Sequence, residues 1–327
     1  MRIFIAVLAP LLGAVLGCAG AANVSAQAYP SRPVRLIMPF ASGGGIGDIL
    51  GRLTADYLSR ALDGRFVVEN RPGAGCNIGS EVVAKSAPDG YTLGLLNVGC
   101  VAINPWLYKD MPFDALNDLV PIAIIGEVSH VLGVSAQVPA GNVRELIAYA
   151  KQFPGKMNYG SAGAGTPPHL SAESFSRITG IEMVHVPYKG AAPIALDLAA
   201  GRIQVAFLAL GSMRAQLSGG QVRAFAVARK TRMTALPNVP TMEEAGVPGF
   251  EPGSWWGVMG PRGLPPSIVT TLNRHVNAML DDPEARKRLQ ESGTETLKET
   301  PEAFSARVRS DHEKWREVVR AAGLKSE

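Results

Sequence analysis

Apolar positions along this chain follow two different periods. VRLIMPF (Val34–Phe40) is apolar apart from Arg35 and rich in β-formers. From Ile46 onward, Ile46, Ile49, Leu50, Leu53, Tyr57 and Leu62 recur at helical spacing. The first pattern reads as a buried strand and the second as one face of a helix. RFVVENRPGAGCNIG repeats the order, with a strand around Phe66–Glu69, a glycine-bearing loop and a helix around Glu81–Lys85. DGYTLGLLNVGC does so again, Asp89-Gly90 forming the turn before its strand. Strands separated by helices imply a parallel sheet covered on both faces. The loops that follow the strands then emerge at one edge, where open α/β sheets bind ligands.

Farther along, PIAIIGEVSHVLGVSA (Pro121–Ala136) is a long strand-like run, followed by a second series of alternating strands and helices up to VRAFAVA. A proline-rich passage, Leu236–Gly253, leads into SWWGVMGP. The tail is helical. Thr300 is the expected N-cap, Pro301 opens the first turn and Gly323 ends it. Phe304, Val308, Trp315, Val318 and Val319 form its apolar stripe. The order predicts two α/β lobes between which the chain crosses twice, near Ile125–Ser129 and near Trp255–Gly257. Residues 29–126 with 257–327 would make the first lobe and residues 127–256 the second. Lobes joined by paired crossing strands close by a hinge over a ligand.

Three consecutive glycines, Gly43–Gly45, stand between the first strand and the first helix. Dinucleotide, P-loop and nucleophile-elbow patterns all fail there, because Asp48 occupies a required glycine position and Gly-Lys-Ser/Thr and G-x-S-x-G are absent. Either the backbone needs a tight turn, or its N–H groups are left open for an anion at a helix N-terminus. YGSAGAGTPPH (Tyr159–His169) has the same character in the second lobe, with hydroxyls at Ser161 and Thr166. A matched pair of such loops favours the anion. Asp48 would repel it, so it should rest near Gly43 and Gly44, held by neutral donors and water, since neither loop contains arginine.

Charge and cysteines narrow the setting. The chain opens with Arg2, an apolar run to about Leu16, and small residues ending Ala26-Gln27-Ala28, a secretory signal peptide expected to be cleaved after Ala28. Lipidation at Cys18 is the competing outcome. Net charge is +4 over 327 residues without a basic run, which gives no case for nucleic acid. No C-x-x-C or H-E-x-x-H spacing supports a metal, and no cofactor motif is present. Cys76 and Cys100 both follow predicted strands. In the usual doubly wound order a third strand would separate theirs, so they are expected as free thiols, beyond the roughly 7 Å Cα limit of a disulfide.

The segments YPSRPVRLIMPFASGGG, VVENRPGAGCNIG, AKSAPDGYTL, AINPWLY, YGSAGAGTPPHL, VHVPYKGAAPIALDL, LPNVPTMEEAGVPGF and WWGVMGPRGLPP resemble, in order and over nearly the whole chain from Tyr29, the substrate-binding proteins of tripartite tricarboxylate transporters, the Bug family. The resemblance implies a periplasmic, two-lobed binding protein (type II-like), each lobe a mixed, mostly parallel sheet flanked by helices, without catalytic activity. It implies a small carboxylate ligand and delivery to membrane permease subunits; a sensor kinase is the alternative partner. The ligand carboxylate would be held by the loop after the first strand, Phe40, Ala41, Ser42, Gly43 and Gly44, and by Ser161, Ala162, Gly163 and Thr166, with bridging water. Asn97, His169, Tyr188 and Asp197 complete the candidate set. His169 and Asp197 equally suit helix-start and tethering roles, and Tyr188 a tethered core position. Two departures bear on ligand identity: the first loop lacks the proline and threonine common there, and Cys76 replaces a common glycine. A rival reading, an exported hydrolase, would need a serine held against His169 or His185 by a carboxylate-braced contact.

Overall fold

The computed structural model describes residues 29–43, 45–250 and 254–322. The leader, Cys18, Gly44 and Gly323 lie outside the described residues. The chain runs β1 (Val34–Met38), α1 (Ile46–Ala61), β2 (Phe66–Asn70), α2 (Asn77–Ala84), β3 (Thr92–Asn97), α3 (Asn104–Leu107) and β4 (Leu119–Val128). It continues through β5 (His130–Ser135), α4 (Val143–Gln152), β6 (Met157–Ser161), α5 (Pro167–Thr179), β7 (Met183–Pro187), α6 (Ala191–Ala199), β8 (Val205–Ala209), α7 (Leu210–Ser218) and β9 (Val222–Val227). It returns by β10 (Ser254–Pro261), α8 (Pro266–Met279), α9 (Pro283–Ser292), β11 (Thr294–Thr296) and α10 (Pro301–Ala322).

These strands form two mixed sheets, ordered β11-β4-β10-β3-β1-β2 and β7-β6-β8-β5-β9. β1 pairs parallel with β2 and β3, and β6 parallel with β7 and β8. The strands next to the crossings run the other way: β10 is antiparallel to β3 and β4, and β5 to β8 and β9. The run Pro121–Ala136 is therefore not one strand. It divides at Ser129, β4 pairing in the first sheet and β5 in the second. Glu127, Val128 and Ser254–Trp256 pair within the first sheet.

Each helix covers its sheet with the apolar face that its period supplies. Leu50, Leu53 and Leu58 of α1 are at most 3 % exposed and pack with Leu36 and Met38 of β1. Burying each such leucine contributes roughly 1.5–3 kcal/mol. Thr300 caps α10 as expected, its Oγ1 accepting from Ala303 N–H at 3.2 Å, and Phe304 and Val308 are buried. The lobes are closed on each other. Ala41 N–H donates to Lys189 O at 3.1 Å, Ile46 N–H to Ser212 Oγ at 2.9 Å, and Tyr108 O–H to Ala164 O at 3.3 Å. Arg229 pairs with Glu295 across the same seam.

The expectation of free thiols is overturned. Cys76 and Cys100 form a disulfide, Cα to Cα 5.7 Å. β1 does lie between β2 and β3, but neither cysteine sits at a strand end. Gly73, Ala74, Gly75 and Cys76 all have positive φ (134°, 46°, 59° and 91°). They curl the chain after β2 back to the π-helical turn Gly99–Ile103 that carries Cys100. Gly75 allows a further approach: a Cβ there would stand 2.5 Å from Ala164 O of the opposite lobe.

Candidate functional site

Between the lobes lies a cleft enclosing ≈ 520 Å³ of non-atom space, its open mouth included. Four helices begin at its wall: α1 through Gly45, Ile46, Gly47 and Asp48, α5 through Thr166 and Pro167, α6 through Ala191, and α7 through Ala209 and Ser212. None has a side-chain cap from its own N-cap residue. Each first turn leaves backbone N–H groups without intrahelical partners and a partial positive charge. The α5 terminus is the weakest donor, because Pro167 and Pro168 lack an N–H. Ile46 N–H is satisfied across the cleft by Ser212 Oγ; Gly47 and Asp48 N–H follow it along the cavity wall.

Among the described residues no lysine or arginine lines the cavity, and the one carboxylate in its wall is Asp48, 7 % exposed. It is held by Arg52 through two bonds, Nε to Oδ2 and Nη2 to Oδ1, both 3.1 Å. This pairing offsets the repulsion that Asp48 would otherwise exert on an anion. The remaining wall is largely apolar: Phe40, Ile46, Leu208, Pro167, Pro168 and Trp256. Phe40 and Trp256 meet edge to face, centroids 5.5 Å apart. A Cβ at Gly47 would lie 2.6 Å from the Trp256 ring, so that glycine lets the indole close on the start of α1.

Of the residues singled out from sequence, Phe40, Ala41, Asn97, Ala162 and Thr166 line the cavity. Asn97 Oδ1 accepts from Cys100 N–H at 3.2 Å; the disulfide sulfur beside it has no proton to give. That bond orients the amide, and its Nδ2 has no partner among the described residues. Thr166 Oγ1 is turned to Gly163 O at 2.6 Å. Ser42 and Gly43 are exposed and stand off the cavity wall, Gly43 N–H lying 3.4 Å from Asp48 Oδ2.

Ser161, Gly163 and His169 are brought together behind the wall. Ser161 is 0 % exposed, with its Oγ 2.6 Å from His185 Nε2 and accepting from Gly163 N–H at 3.2 Å. Gly165 N–H donates to His169 Nδ1 at 3.4 Å, and His169, His185 and Tyr159 stack as a cluster. Most donors of the second glycine loop are thus engaged within the loop. A serine–histidine contact of the kind a hydrolase needs does exist here, but with the lobes closed the serine is fully buried. Tyr188 O–H donates to Asp197 Oδ2 at 2.8 Å, and Asp197 pairs with Arg202 at 2.8 Å, away from the cavity. Arg202 holds the Asp197 carboxyl below its ordinary range.

Reading the sequence did not pick out His130, Leu208, Ser212 or Trp256, which also line the cavity. Ser212 carries no local signal at all; its partner is 166 residues away. Burial lowers the pKa of His130 and of His169 to about 4 from 6.5. Both are neutral in the fold and charge first in the unfolded chain. Their contribution is therefore full above about pH 6.5 and lost as pH falls toward 4, at most about 3 kcal/mol each at about 1.4 kcal/mol per pH unit. Thermal denaturation should show the melting temperature falling across that window, less steeply in His169→Gln. An equally steep fall in the variant would contradict this.

Two lobes of mixed sheet closed over a cavity ringed by helix N-termini define a protein of the periplasmic binding class. The sequence profile of the tripartite tricarboxylate transporter family receptor (TctC) matches residues 50–324, and the chain belongs to that family. It is 35 % identical to the protein BugT of Bordetella pertussis over 317 residues, 96 % of this chain and 97 % of that one. The solved structure of Rpa4515 of R. palustris with adipate superposes with a TM-score of 0.88 at 38 % identity, covering 91 % of this chain and 100 % of that one. MatC (Rpa3494) from Rhodopseudomonas palustris with bound malate gives 0.85 at 30 %, covering 89 % and 100 %. Among the described residues no helix is long and apolar enough to cross a membrane.

Proposed function

We propose that this protein is an exported receptor that captures a small carboxylate between its lobes and delivers it to the permease subunits of a tripartite tricarboxylate-type transporter in the membrane. The observation that carries this reading is the convergence of four helix N-termini on one cavity in whose wall, among the described residues, no lysine or arginine stands. Such a site favours an anion through amides and dipoles. The adipate and malate in two related structures fit the same chemistry. The carboxylate would rest on the Gly47 and Asp48 amides of α1, with the Ser212 hydroxyl and Asn97 Nδ2 as further donors, while Ser161 and Gly163 support the wall from behind. Residues 1–28 would direct export and be removed, and the crossing at Ser129 would form part of the hinge. With Ser161 sealed, the protein binds its ligand without transforming it.

A thermal-shift screen of small carboxylates against their amides tests the reading. An acid that binds should raise the melting temperature in proportion to the logarithm of its concentration above its Kd, and its amide should not. Equal stabilisation by acids and amides would overturn it.

A further inference from the structure

His130 opens β5 immediately after the crossing at Ser129, paired in register with Ala209, the residue that leads into α7. It lines the interlobe cavity yet is only 5 % exposed. Its Nδ1 lies 3.2 Å from Ser171 Oγ; Nε2 has no partner among the described residues. A ring nitrogen at such a depth needs a hydrogen-bond partner, because leaving it unsatisfied carries a desolvation penalty. Other polar groups of the wall are already engaged: Asp48 with Arg52, Thr166 with Gly163, Asn97 Oδ1 with Cys100.

Ser171 Oγ has no other hydrogen-bond partner among the described residues, and a hydroxyl that donates to Nδ1 leaves the neutral imidazole its hydrogen on Nε2. Burial keeps the ring neutral near pH 7, so it presents one donor of fixed direction rather than a charge.

We infer that His130 determines specificity: its Nε2–H recognises an acceptor oxygen on the ligand beyond the carboxylate held at α1, so that the site prefers diacids to monoacids of equal length. This rests on the proposed carboxylate function and adds the second recognition point. A carbonyl oxygen presents the same chemistry as a second carboxylate, and the half-amide of a diacid separates the two sources.

The test is calorimetric titration of the mature protein with succinate against butyrate, adipate against hexanoate, and adipic acid monoamide. Wild type is expected to bind a diacid about 10- to 100-fold more tightly than its monoacid, the range for one hydrogen bond to a charged group. A monoamide that keeps the preference marks the acceptor as a carbonyl oxygen, and one that loses it marks a second carboxylate. His130→Phe keeps an aromatic ring but no donor, and should erase the preference while leaving monoacid affinity within about threefold. His130→Gln, with an N–H to offer, should restore part of it. Equal affinities for diacid and monoacid in wild type, or equal losses for both in His130→Phe, would overturn the inference. Nitrogen-15 NMR of labelled histidine supplies a readout without ligand: the Nε2–H tautomer is expected, and a protonated Nδ1 with bare Nε2 refutes it. If no acid binds wild type, the proposed function falls, and the tautomer still decides the role of His130.

Discussion

Ser212→Asp is expected to abolish carboxylate binding while leaving the protein at least as heat-stable as wild type. Ser212 Oγ accepts Ile46 N–H at the start of α1 and is itself the third residue of α7, so it stands where the positive ends of two helices meet. An aspartate there would place a carboxylate where the ligand's is proposed to sit. The helix ends favour that charge by about 0.3–2 kcal/mol each, and charge-assisted bonds to the freed amides add to this. Together they offset the desolvation of a carboxylate in a wall only 8 % exposed at this residue. Ser212→Lys reverses every sign and should melt well below wild type. Melting curves of both variants, with adipate and malate titrations, decide the matter. If aspartate destabilises as much as lysine, the cavity does not favour negative charge and the anion reading fails.

The Cys76→Ser/Cys100→Ser double variant is expected to lose about 3 kcal/mol of stability. The disulfide joins residues 24 apart, and closing a loop of that size in the unfolded chain accounts for about this amount. A second comparison separates the covalent link from the backbone. Cys76 holds a φ of 91°, which an L-residue adopts at a penalty of roughly 1–2 kcal/mol and glycine does not. Cys76→Gly/Cys100→Ser should therefore lose about 1 kcal/mol less than the double serine variant. Urea midpoints of the three proteins measure both differences. Thiol titration of the unfolded, unreduced wild type should find no free thiol from Cys76 and Cys100; two would refute the bridge. Ligand affinity should also fall, since the turn at Gly75 abuts Ala164 and Cys100 N–H orients Asn97.

Much of the architecture was legible because it is written at short range. The stripe Leu50, Leu53 and the turn signals around Thr300 and Pro301 depend only on near neighbours, and α1 and α10 follow them. The resemblance to the Bug family pointed to Phe40, Ala41, Asn97, Ala162 and Thr166, which line the cavity. Where the sequence reading went astray, the deciding neighbour was distant. The disulfide followed from four left-handed residues that bend the loop back past β1, a path that strand order alone does not reveal.

The glycine loops show the same division. Their composition determined by itself that two strand-to-helix junctions would expose unshielded backbone, and the periods determined that both junctions lie at sheet edges. Which donors remain open was decided only in three dimensions. His185 reached Ser161 from the next strand and took its hydroxyl, whereas Arg52, one turn along α1, neutralised the carboxylate of Asp48. Ser212 came to Ile46 from the opposite lobe, and His130 was turned inward where the chain changes sheets. A hydrogen bond forms with whatever stands within 3 Å or so, and in a chain that crosses twice between two lobes that neighbour is set by packing, not by sequence distance.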